Sequence, residues 1–296
     1  MKLIPPLPVR DGVSPSFVWL PPGCWVTLGD FFAHRFSAVA KSEWLARSVR
    51  GEVRDERGAA LSLESPYRVG ACVFYYRELI DETPIPFEEA ILFQNEQILV
   101  VDKPHFLPVT PGGRFLHESL LVRLKRKTGI ETLVPIHRLD RETAGLVLFS
   151  IDPSTRNIWQ GLFRDRAIHK VYEALAGLNN ALDFPLSLIS RIVQDERFFR
   201  MKEEAGEPNA ATTISLVRLI DDHALYQLQP VTGKMHQLRV HMNSIGLPII
   251  NDGFYPQALP CKGDDFSAPL KLLARSLSFD DPVTGEPRFF ESRLHL

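Results

Sequence analysis

The sequence contains few cysteines, three in 296 residues. Cys24, Cys72 and Cys261 are widely spaced and form no CxxC pair, so the sequence indicates neither a disulfide framework nor a structural zinc site. Long apolar runs are also absent, because no stretch approaches the roughly 18 uncharged apolar residues that a membrane span needs. The N-terminal MKLIPPLPVRDG segment is interrupted by prolines and does not resemble a secretory signal. From these absences we expect a soluble, cytoplasmic protein with no membrane partner.

The sequence also lacks a strong excess of charge of either sign, since its formal net charge is −2. This total is not typical of a strong non-specific nucleic-acid binder, which concentrates lysine and arginine. The basic residues are nevertheless clustered, at 123–127 and again around Arg138, Arg141, Arg164 and Arg166. The first cluster falls in the last turn of a predicted helix, where cations stabilise the helix dipole. The dipole therefore explains the first cluster without a ligand.

An acidic, proline-containing segment near residues 84–86, Pro-Ile-Pro, interrupts the sequence pattern. It predicts two domains, residues 1–84 and 85–296. Hydrophobic residues make up 45% of the chain, which is enough for a sizeable core. The first domain is predicted to be small, and the second to carry the functional residues.

Two helices are predicted in the small domain. The segment 27–30 can cap a helix that carries Phe31 and Phe32. A second helix is predicted over 42–49 and is ended by Gly51. Two short strands are expected to follow.

Apolar periodicity and turn residues predict the elements of the larger domain. The predicted strands are 97–102, 146–149, 169–175 and 225–230. Three helices are predicted. The first carries Leu116, Leu120, Leu121 and Leu124 and ends at Gly129. The second covers 157–163 and is capped by Asp152-Pro153, and the third begins at Gln237. Leu272, Leu273 and Phe279 are expected in the core.

The segment 137–146, HRLDRETAGL, places an acid between two basic residues just before an apolar strand. Asp140 is flanked by Arg138 and Arg141, and the strand after it would hold it at a rigid edge. A carboxylate fixed beside cations stays ionised, which suits a nucleophile better than a proton donor. The same arginines disfavour a glycosidase built on Asp140 and Glu142, since neither carboxyl would stay protonated.

Four blocks of sequence resemble, in the same order, the RluA-type RNA pseudouridine synthase family. The first, HRLDRETAGL, is similar to the family's HRLDxxTSGL signature. The others are Phe163-Arg164 followed by Lys170-Val-Tyr172, the segment 206–212 (GEPNAAT), and the segment 230–242 (PVTGKMHQLRVHM) followed by GLPI at 246–249 and Asp252. The VDKP sequence at 101–104 also resembles a strand and Lys-Pro element of this family. Ordered agreement of several blocks is stronger evidence than any single short motif.

The resemblance implies an enzyme that isomerises specific uridines to pseudouridine in structured ribosomal or transfer RNA, with no cofactor and no metal. It implies that Asp140 is the nucleophile, that Tyr172 packs against the target base, and that Arg239 keeps the acid ionised and aims it. Arg138 is implied to fill the gap that the extruded base leaves. Further RNA contacts are expected from Arg141, Lys170, Lys234, His236 and Gln237.

The resemblance also implies an architecture. The catalytic domain is expected to be α+β, with a mixed, largely antiparallel sheet and flanking helices. Arg47, Arg50, Arg54 and Arg57 of the small domain resemble, in degenerate form, the RNA-binding module shared with ribosomal protein S-four. Acidic neighbours balance these arginines, so an RNA-binding module and a structural cap are both open. We expect a monomer.

Some positions depart from the family pattern. Ala144 replaces a serine, Lys234 an arginine, Met235 a small hydroxyl residue and Asn251 a glycine. The lysine cannot reproduce the bidentate fork of arginine, so the phosphate contacts of this segment are expected to differ.

Other functions fit the sequence less well. A metal hydrolase would need His236 and His241 on one helical face, but they are five positions apart, unlike the histidines of an HExxH pair. Thr232-Gly-Lys234 lacks the upstream glycine and the following hydroxyl of a phosphate-binding loop. The remaining alternative is an RNA-binding protein with this fold that has lost catalysis. Such a protein would have lost Asp140, Tyr172 or Arg239, and all three are present.

Overall fold

The computed structural model describes residues 5–79, 81–197, 199–260 and 263–296. The chain divides into two compact units. The N-terminal unit comprises Met1–Glu82 and Gly113–His117, and the large unit comprises Thr83–Gly112 and Glu118–Leu296. The sequence predicts residues 113–117 in the larger domain. The structure groups them with the N-terminal unit, where the backbone N–H groups of Leu116 and His117 donate to Glu82 at 2.6 and 2.8 Å.

The N-terminal unit contains two helices and a three-stranded antiparallel sheet of order β1-β3-β2. Its elements are β1 Ser16–Trp19, α1 Leu28–Arg35, α2 Lys41–Val49, β2 Val53–Asp55 and β3 Cys72–Tyr75. The predicted cap of α1 is confirmed, because the Thr27 hydroxyl accepts from the Asp30 backbone N–H at 3.1 Å and the Asp30 carboxylate accepts from that of Thr27 at 2.9 Å. Phe32 packs on Trp44 with ring centroids 4.2 Å apart, which joins the two helices.

The large unit is built on an 11-stranded sheet of order β10-β9-β11-β12-β8-β13-β7-β5-β4, with β14 paired to β13 and β6 to β7. Its strands are β4 Ala90–Gln94, β5 Ile98–Lys103, β6 Val134–Pro135, β7 Ala144–Ser150, β8 His169–Ala176, β9 Leu186–Gln194, β10 Met201–Glu204, β11 Ala210–Ile220, β12 His223–Pro230, β13 Leu272–Asp280 and β14 Pro287–Glu291. Its helices are α3 Leu120–Thr128, α4 Arg156–Arg164 and α5 Gln237–Ser244. Among the described strand pairs only β13 and β7 run parallel, so the expected α+β fold with a mixed, largely antiparallel sheet is confirmed.

The C-terminal strand β13 lies between β8 and β7 in the centre of this sheet. It therefore brings the segment that precedes β7 near strand β8, although these segments are distant in sequence. Helix α5 packs its buried Leu238 and Met242 against Ala174 of β8 and Tyr226 of β12. This packing fixes the helix that carries Arg239.

The boundaries of two helices differ from those predicted. Helix α3 begins at Leu120 rather than near Leu116, because the N–H groups of Leu120 and Leu121 donate to Pro108 and Val109 carbonyls at 2.8 and 3.0 Å. Its predicted end is confirmed, since Gly129 adopts the left-handed conformation with φ of 71°.

Helix α4 begins after its predicted cap, at Arg156. Asp152 accepts from the Ser154 backbone N–H at 2.8 Å and so closes the turn that precedes the helix. Strands β9 to β11 are not predicted by the sequence. No helix in the described ranges is long and apolar enough to span a membrane.

Candidate active site

A cleft of about 760 Å³ lies within the large unit. Four parts of the chain line most of it: the loop 108–112, the segment 137–143 that precedes β7, the start of β8, and the segment 230–239 that leads into α5. These include the first, second and fourth of the sequence blocks. The cleft therefore collects residues that are distant in sequence, such as Asp140 and Arg239, which are in contact although they are 99 positions apart.

Asp140 lies in a turn at the wall of this cleft, where its carbonyl accepts from the Thr143 N–H at 3.2 Å. Its side chain is 29% exposed, so substrate can reach it. Arg239 donates from Nη1 to Oδ2 of Asp140 at 3.2 Å. The imidazole Nε2 of His236 lies 3.7 Å from the same oxygen.

Arg239 is itself held by a second carboxylate. Its Nε and Nη2 donate to the two oxygens of Asp252 at 2.8 and 2.6 Å, and its side chain is 2% exposed. The guanidinium also lies over the rings of Phe254 and Tyr255, at 4.8 and 5.5 Å. Burial opposes the charged form, but the hydrogen bonds and charge of Asp252 raise the pKa of Arg239. The permanently charged guanidinium thus directs its remaining donor, Nη1, at Asp140.

The flanking arginines of the HRLDR segment have other contacts. Arg141 donates from Nε to the Phe106 carbonyl at 3.1 Å and lies 3.3 Å from Glu142. Arg138 is exposed at the cleft wall. The sequence predicts that these two arginines are the cations beside the Asp140 carboxylate, but the contacts to that carboxylate come from Arg239 of α5 and from His236 before it. Neighbours in sequence on a turn point in different directions, whereas the sheet brings α5 to the carboxylate.

Tyr172 and Lys170 lie on the same face of β8 and both line the cleft, as their two-residue spacing predicts. Burial and the charge of Asp140 raise the pKa of Tyr172, so its ring is a neutral phenol. Lys170 donates to the Thr232 carbonyl at 2.9 Å, and burial lowers its pKa to about 8. The cleft thus offers a flat aromatic surface beside a cation.

His137 lines the cleft as a neutral ring. Its Nε2 accepts from the Leu148 backbone N–H at 3.1 Å, and the ring stacks on Phe163 with centroids 4.4 Å apart. Burial, assisted by the charge of Lys170, lowers its pKa to about 3. The first and second sequence blocks are joined by this stack.

The side chain of Gln237 makes its hydrogen bonds within the protein. Its Oε1 accepts from the Thr232 hydroxyl at 2.6 Å and the Lys234 N–H at 3.0 Å, and its Nε2 donates to Ala211 and Thr212 at 3.0 and 2.9 Å. The side chain therefore shapes the loop before α5. Gln237 is buried and its polar atoms are bonded within the protein, which does not support the expected RNA contact. Lys234 is exposed and remains available to RNA.

Several residues that organise the site carry no predicted role. Lys103 is fully buried and donates from Nζ to the carbonyls of Pro104, Leu107 and Arg141 at 2.9, 2.8 and 3.1 Å. It therefore ties the end of β5 to the Asp140 turn. The signal for it in the sequence is the Lys-Pro pair after a buried strand.

Asp252 also has no role predicted from the sequence, although it belongs to the fourth sequence block. Its partner could not be identified from sequence, because the pairing with Arg239 spans a loop of unknown course. Within the described residues no group of three or more histidine, cysteine, aspartate or glutamate side chains is arranged to hold a metal ion.

Comparison with known proteins places this chain in one family. A family model described as RNA pseudouridylate synthase matches residues 97–244. The chain is 32% identical over 208 residues to the dual-specificity RNA pseudouridine synthase RluA of Haemophilus influenzae, an alignment that covers 69% of this chain and 92% of the relative. It is 28% identical over 238 residues to an uncharacterized RNA pseudouridine synthase of Synechocystis, covering 78% and 80% of the two chains.

Solved structures give the same result for the fold. Human RNA pseudouridylate synthase domain containing 4 superposes with a TM-score of 0.53 at 28% identity, covering 69% of this chain and 88% of that one. Human RNA pseudouridylate synthase domain containing 1 superposes with a TM-score of 0.57 at 20% identity, covering 70% of this chain and 84% of that one. This likeness shows the shared fold. The chain therefore belongs to the RluA-type RNA pseudouridine synthases, enzymes that convert uridine to pseudouridine in RNA.

Proposed function

We propose that Asp140 is the nucleophile of this enzyme and that Arg239 positions it. The observation that carries the proposal is the chain of contacts from Asp252 through Arg239 to Asp140, which ends on a partly exposed carboxylate in the cleft. Asp252 occupies the edge of the guanidinium formed by Nε and Nη2, which leaves Nη1 for Asp140. An ionised, oriented carboxylate is what attack on a sugar carbon requires.

The reaction is an isomerisation, so atoms balance without a co-reactant. The bond between C1′ and N1 of uridine breaks, the base turns, and C5 bonds to C1′. The hydrogen of C5 leaves as a proton, and N1 gains one. Attack of Asp140 on C1′ would hold the sugar while the base turns, and the carboxylate would leave as C5 attacks.

The other cleft residues support binding of an extruded nucleotide. Tyr172 offers a neutral ring on which the base can pack. Arg138 is exposed and can enter the space that the base leaves in its stack. Lys170 and Lys234 supply cations for the flanking phosphates.

We propose structured ribosomal or transfer RNA as the substrate. The extrusion of a base, which the recessed Asp140 requires, is easiest in loops and bulges of folded RNA. Relatives such as the Haemophilus influenzae enzyme are named dual-specificity synthases, which favours testing both RNA classes. An RNA-binding protein without catalysis is disfavoured, because the cleft retains Asp140, Tyr172 and Arg239.

Mapping of pseudouridines in total RNA tests the substrate class. RNA from cells that lack the protein is incubated with the purified wild-type enzyme or with Asp140→Asn, and sites are compared. We expect new pseudouridines in ribosomal or transfer RNA with wild type alone. Sites confined to messenger RNA would contradict the substrate proposal, and sites formed equally by Asp140→Asn would contradict the role of Asp140.

A further inference from the structure

The imidazole of His236 lines the cleft beside Asp140. His236 is the last residue before α5, and its backbone lies in the left-handed region with φ of 55°. Histidine is one of the few residues other than glycine that are enriched in this region. Nε2 of the ring lies 3.7 Å from Oδ2 of Asp140. With 7% of its side chain exposed, His236 can make a directed contact with substrate but offers little surface to a phosphate.

The hydrogen of the imidazole is placed by Tyr255. The Tyr255 hydroxyl donates its one hydrogen to the Met201 carbonyl at 3.0 Å and accepts from the Met201 backbone N–H at 2.9 Å. Nδ1 of His236 lies 3.1 Å from the same hydroxyl. Because the hydrogen of the hydroxyl is already used, Nδ1 is the donor in this contact and carries the hydrogen of a neutral ring. Nε2 is therefore an acceptor.

The surroundings keep this ring neutral. Burial is the largest influence and lowers the pKa of His236. The charges of Asp140 and Asp252 oppose this shift. Those of Arg239 and Arg200 add to it. At neutral pH Nε2 thus presents a lone pair to the cleft.

Two acceptors with no hydrogen between them therefore face each other in the cleft. Oδ2 of Asp140 accepts from Arg239 at 3.2 Å. Among the described residues, the imidazole of His236 makes one hydrogen bond, through Nδ1. A substrate group that has a hydrogen to donate is consequently favoured beside Nε2, because it satisfies an acceptor that the protein leaves open.

The chemistry of the substrate identifies this group. Within an RNA chain, the hydrogen-bond donors of a uridine are the 2′-hydroxyl and N3–H. In the proposed attack on C1′, the Asp140 carboxylate lies roughly 3 to 3.5 Å from that carbon. The 2′-oxygen is bonded to the neighbouring carbon C2′, whereas N3 lies across the base, which packs against Tyr172 in the proposed complex. An acceptor beside the carboxylate is therefore nearest to the 2′-hydroxyl.

We propose that Nε2 of His236 accepts a hydrogen bond from the 2′-hydroxyl of the target uridine and so selects ribose over deoxyribose at this position. The inference rests on the proposed function, since attack of Asp140 on C1′ is what places the sugar. The sequence predicts an RNA contact for His236, and the structure assigns it to a sugar hydroxyl rather than a phosphate. Contacts to this hydroxyl are how a protein distinguishes RNA from DNA.

Binding of two synthetic RNAs tests this contact. One is a stem-loop that carries a mapped target uridine, and the other has 2′-deoxyuridine at that position alone. Kd is measured with the full-length Asp140→Ala protein, in which the proposed nucleophile is absent and no donor is added near Nε2. The preference for the hydroxyl is the ratio of the two Kd values.

Two further substitutions are then added to this protein. In His236→Asn the side-chain amide can still donate to Tyr255, and asparagine tolerates the left-handed backbone, but the shorter side chain has no atom at the position of Nε2. In His236→Gln the amide oxygen can reach that position and accept. His223→Asn is the matched control, because His223 is exposed at the start of β12 and lies outside the cleft.

We expect removal of the hydroxyl to raise the Kd roughly three- to tenfold when His236 is present, as loss of one hydrogen bond predicts. With His236→Asn the two RNAs should bind with Kd values within about twofold of each other, because the partner of the hydroxyl is gone. His236→Gln should recover most of the preference. His223→Asn should retain all of it.

Nitrogen NMR of isotope-labelled histidine gives a second readout in the Asp140→Ala protein. The Nε2 signal of His236, assigned by its loss in His236→Gln, should be that of a nitrogen without hydrogen. It should shift when the uridine RNA binds and stay in place when the 2′-deoxyuridine RNA binds. If His236→Asn fails to fold in a thermal melt, this signal decides alone.

Two results would overturn the inference. One is an equal preference for the hydroxyl with and without His236→Asn, and the other is a hydrogen on Nε2 in the free protein. Release of tritium from RNA labelled at C5 of uridine is followed in the Asp140→Ala protein as well. Release over several turnovers would reject the proposed function of Asp140, whether or not the two RNAs differ in Kd.

Discussion

At the scale of single residues, the proposed role of Asp140 rests on one arginine shared by two carboxylates. Asp252 is buried and accepts from two donors of Arg239, Nε and Nη2, and the more exposed Asp140 accepts from Nη1. An unpaired charge in this position would be costly, so each member depends on the others. The division of one guanidinium between a fixed and an exposed acid explains how Asp140 is oriented without being enclosed.

Arg239→Lys should lower catalysis more than RNA affinity. Lysine keeps a positive charge but cannot serve Asp252 and Asp140 with one planar group. We expect a loss of about 2 kcal/mol in transition-state stabilisation, roughly 30-fold in single-turnover rate. Arg275→Lys is the control, because Arg275 pairs with Glu173 at 2.6 Å and does not line the cleft. Equal losses of rate and affinity in Arg239→Lys would indicate a phosphate contact instead.

His137 should make the fold sensitive to acid. Burial lowers its pKa to about 3 in the folded protein, whereas the unfolded chain titrates near pH ~6.5. The unfolded state therefore binds more protons between these values, and the stabilisation present above the unfolded pKa is lost as pH falls toward the folded one. At a pH of about 5 the loss is at most about 2 kcal/mol.

Urea unfolding at neutral pH and at a pH of about 5 measures this effect. His137→Gln keeps an acceptor for the Leu148 N–H and removes the titrating group. The free energy of unfolding should therefore fall less between the two pH values in this variant than in wild type. Identical falls in the two proteins would show that His137 does not contribute.

At the scale of elements, the close approach of β7 and β13 depends on Gly145. A Cβ at this position would lie 2.3 Å from the Ala274 carbonyl oxygen, and φ is 107°. The sheet can therefore set the Asp140 turn beside β8 only if this residue lacks a side chain. The glycine in the HRLDRETAGL segment thus has a packing role.

Gly145→Ala should destabilise the large unit by about 3 kcal/mol, because backbone atoms on β13 would have to move. Gly177→Ala is the matched control: nothing lies within 4 Å of its Cβ position, so we expect a change within about 0.5 kcal/mol. The midpoints of urea unfolding report both effects. A similar small effect for both variants would mean that the strands separate without cost.

Local elements of this fold follow from the sequence more readily than their arrangement. The cap at Thr27, the end of α3 at Gly129 and the buried strand before Lys103 are set by residues close together in the chain. The insertion of β13 between β8 and β7 depends on pairing between segments far apart in the chain, which periodicity does not encode. For the same reason the sequence suggested the Asp140–Arg239 contact only by resemblance, and it did not identify Asp252 as the partner.

At the scale of the whole molecule, the N-terminal unit has fewer free cations than its sequence suggests. Arg47 is buried near Glu43 and Glu78, Arg50 pairs with Glu52 at 2.7 Å, and Arg54 donates to backbone carbonyls. These arginines stabilise the unit itself. Arg35, Arg57 and Arg68 are exposed and are the better candidates for phosphate contacts.

We propose that the N-terminal unit helps to place RNA, and the salt dependence of binding tests this. Replacing Arg35, Arg57 and Arg68 with Gln should flatten the plot of log K against log salt by about 0.7 to 0.9 for each phosphate that an arginine no longer neutralises. Single-turnover chemistry at saturating RNA should stay unchanged. An unaltered slope would identify the unit as a structural cap.

The measurement that tests the central claim most directly is product formation by Asp140→Asn. Purified wild type, Asp140→Asn and Glu142→Gln are incubated with RNA labelled with tritium at C5 of uridine, and the release of tritium is followed over several turnovers. Wild type and Glu142→Gln should release tritium, and Asp140→Asn should release none while its Kd for RNA stays within about threefold of wild type, since the substituted charge lies outside the phosphate contacts. Multiple-turnover release by Asp140→Asn would contradict the assignment of Asp140 as the nucleophile.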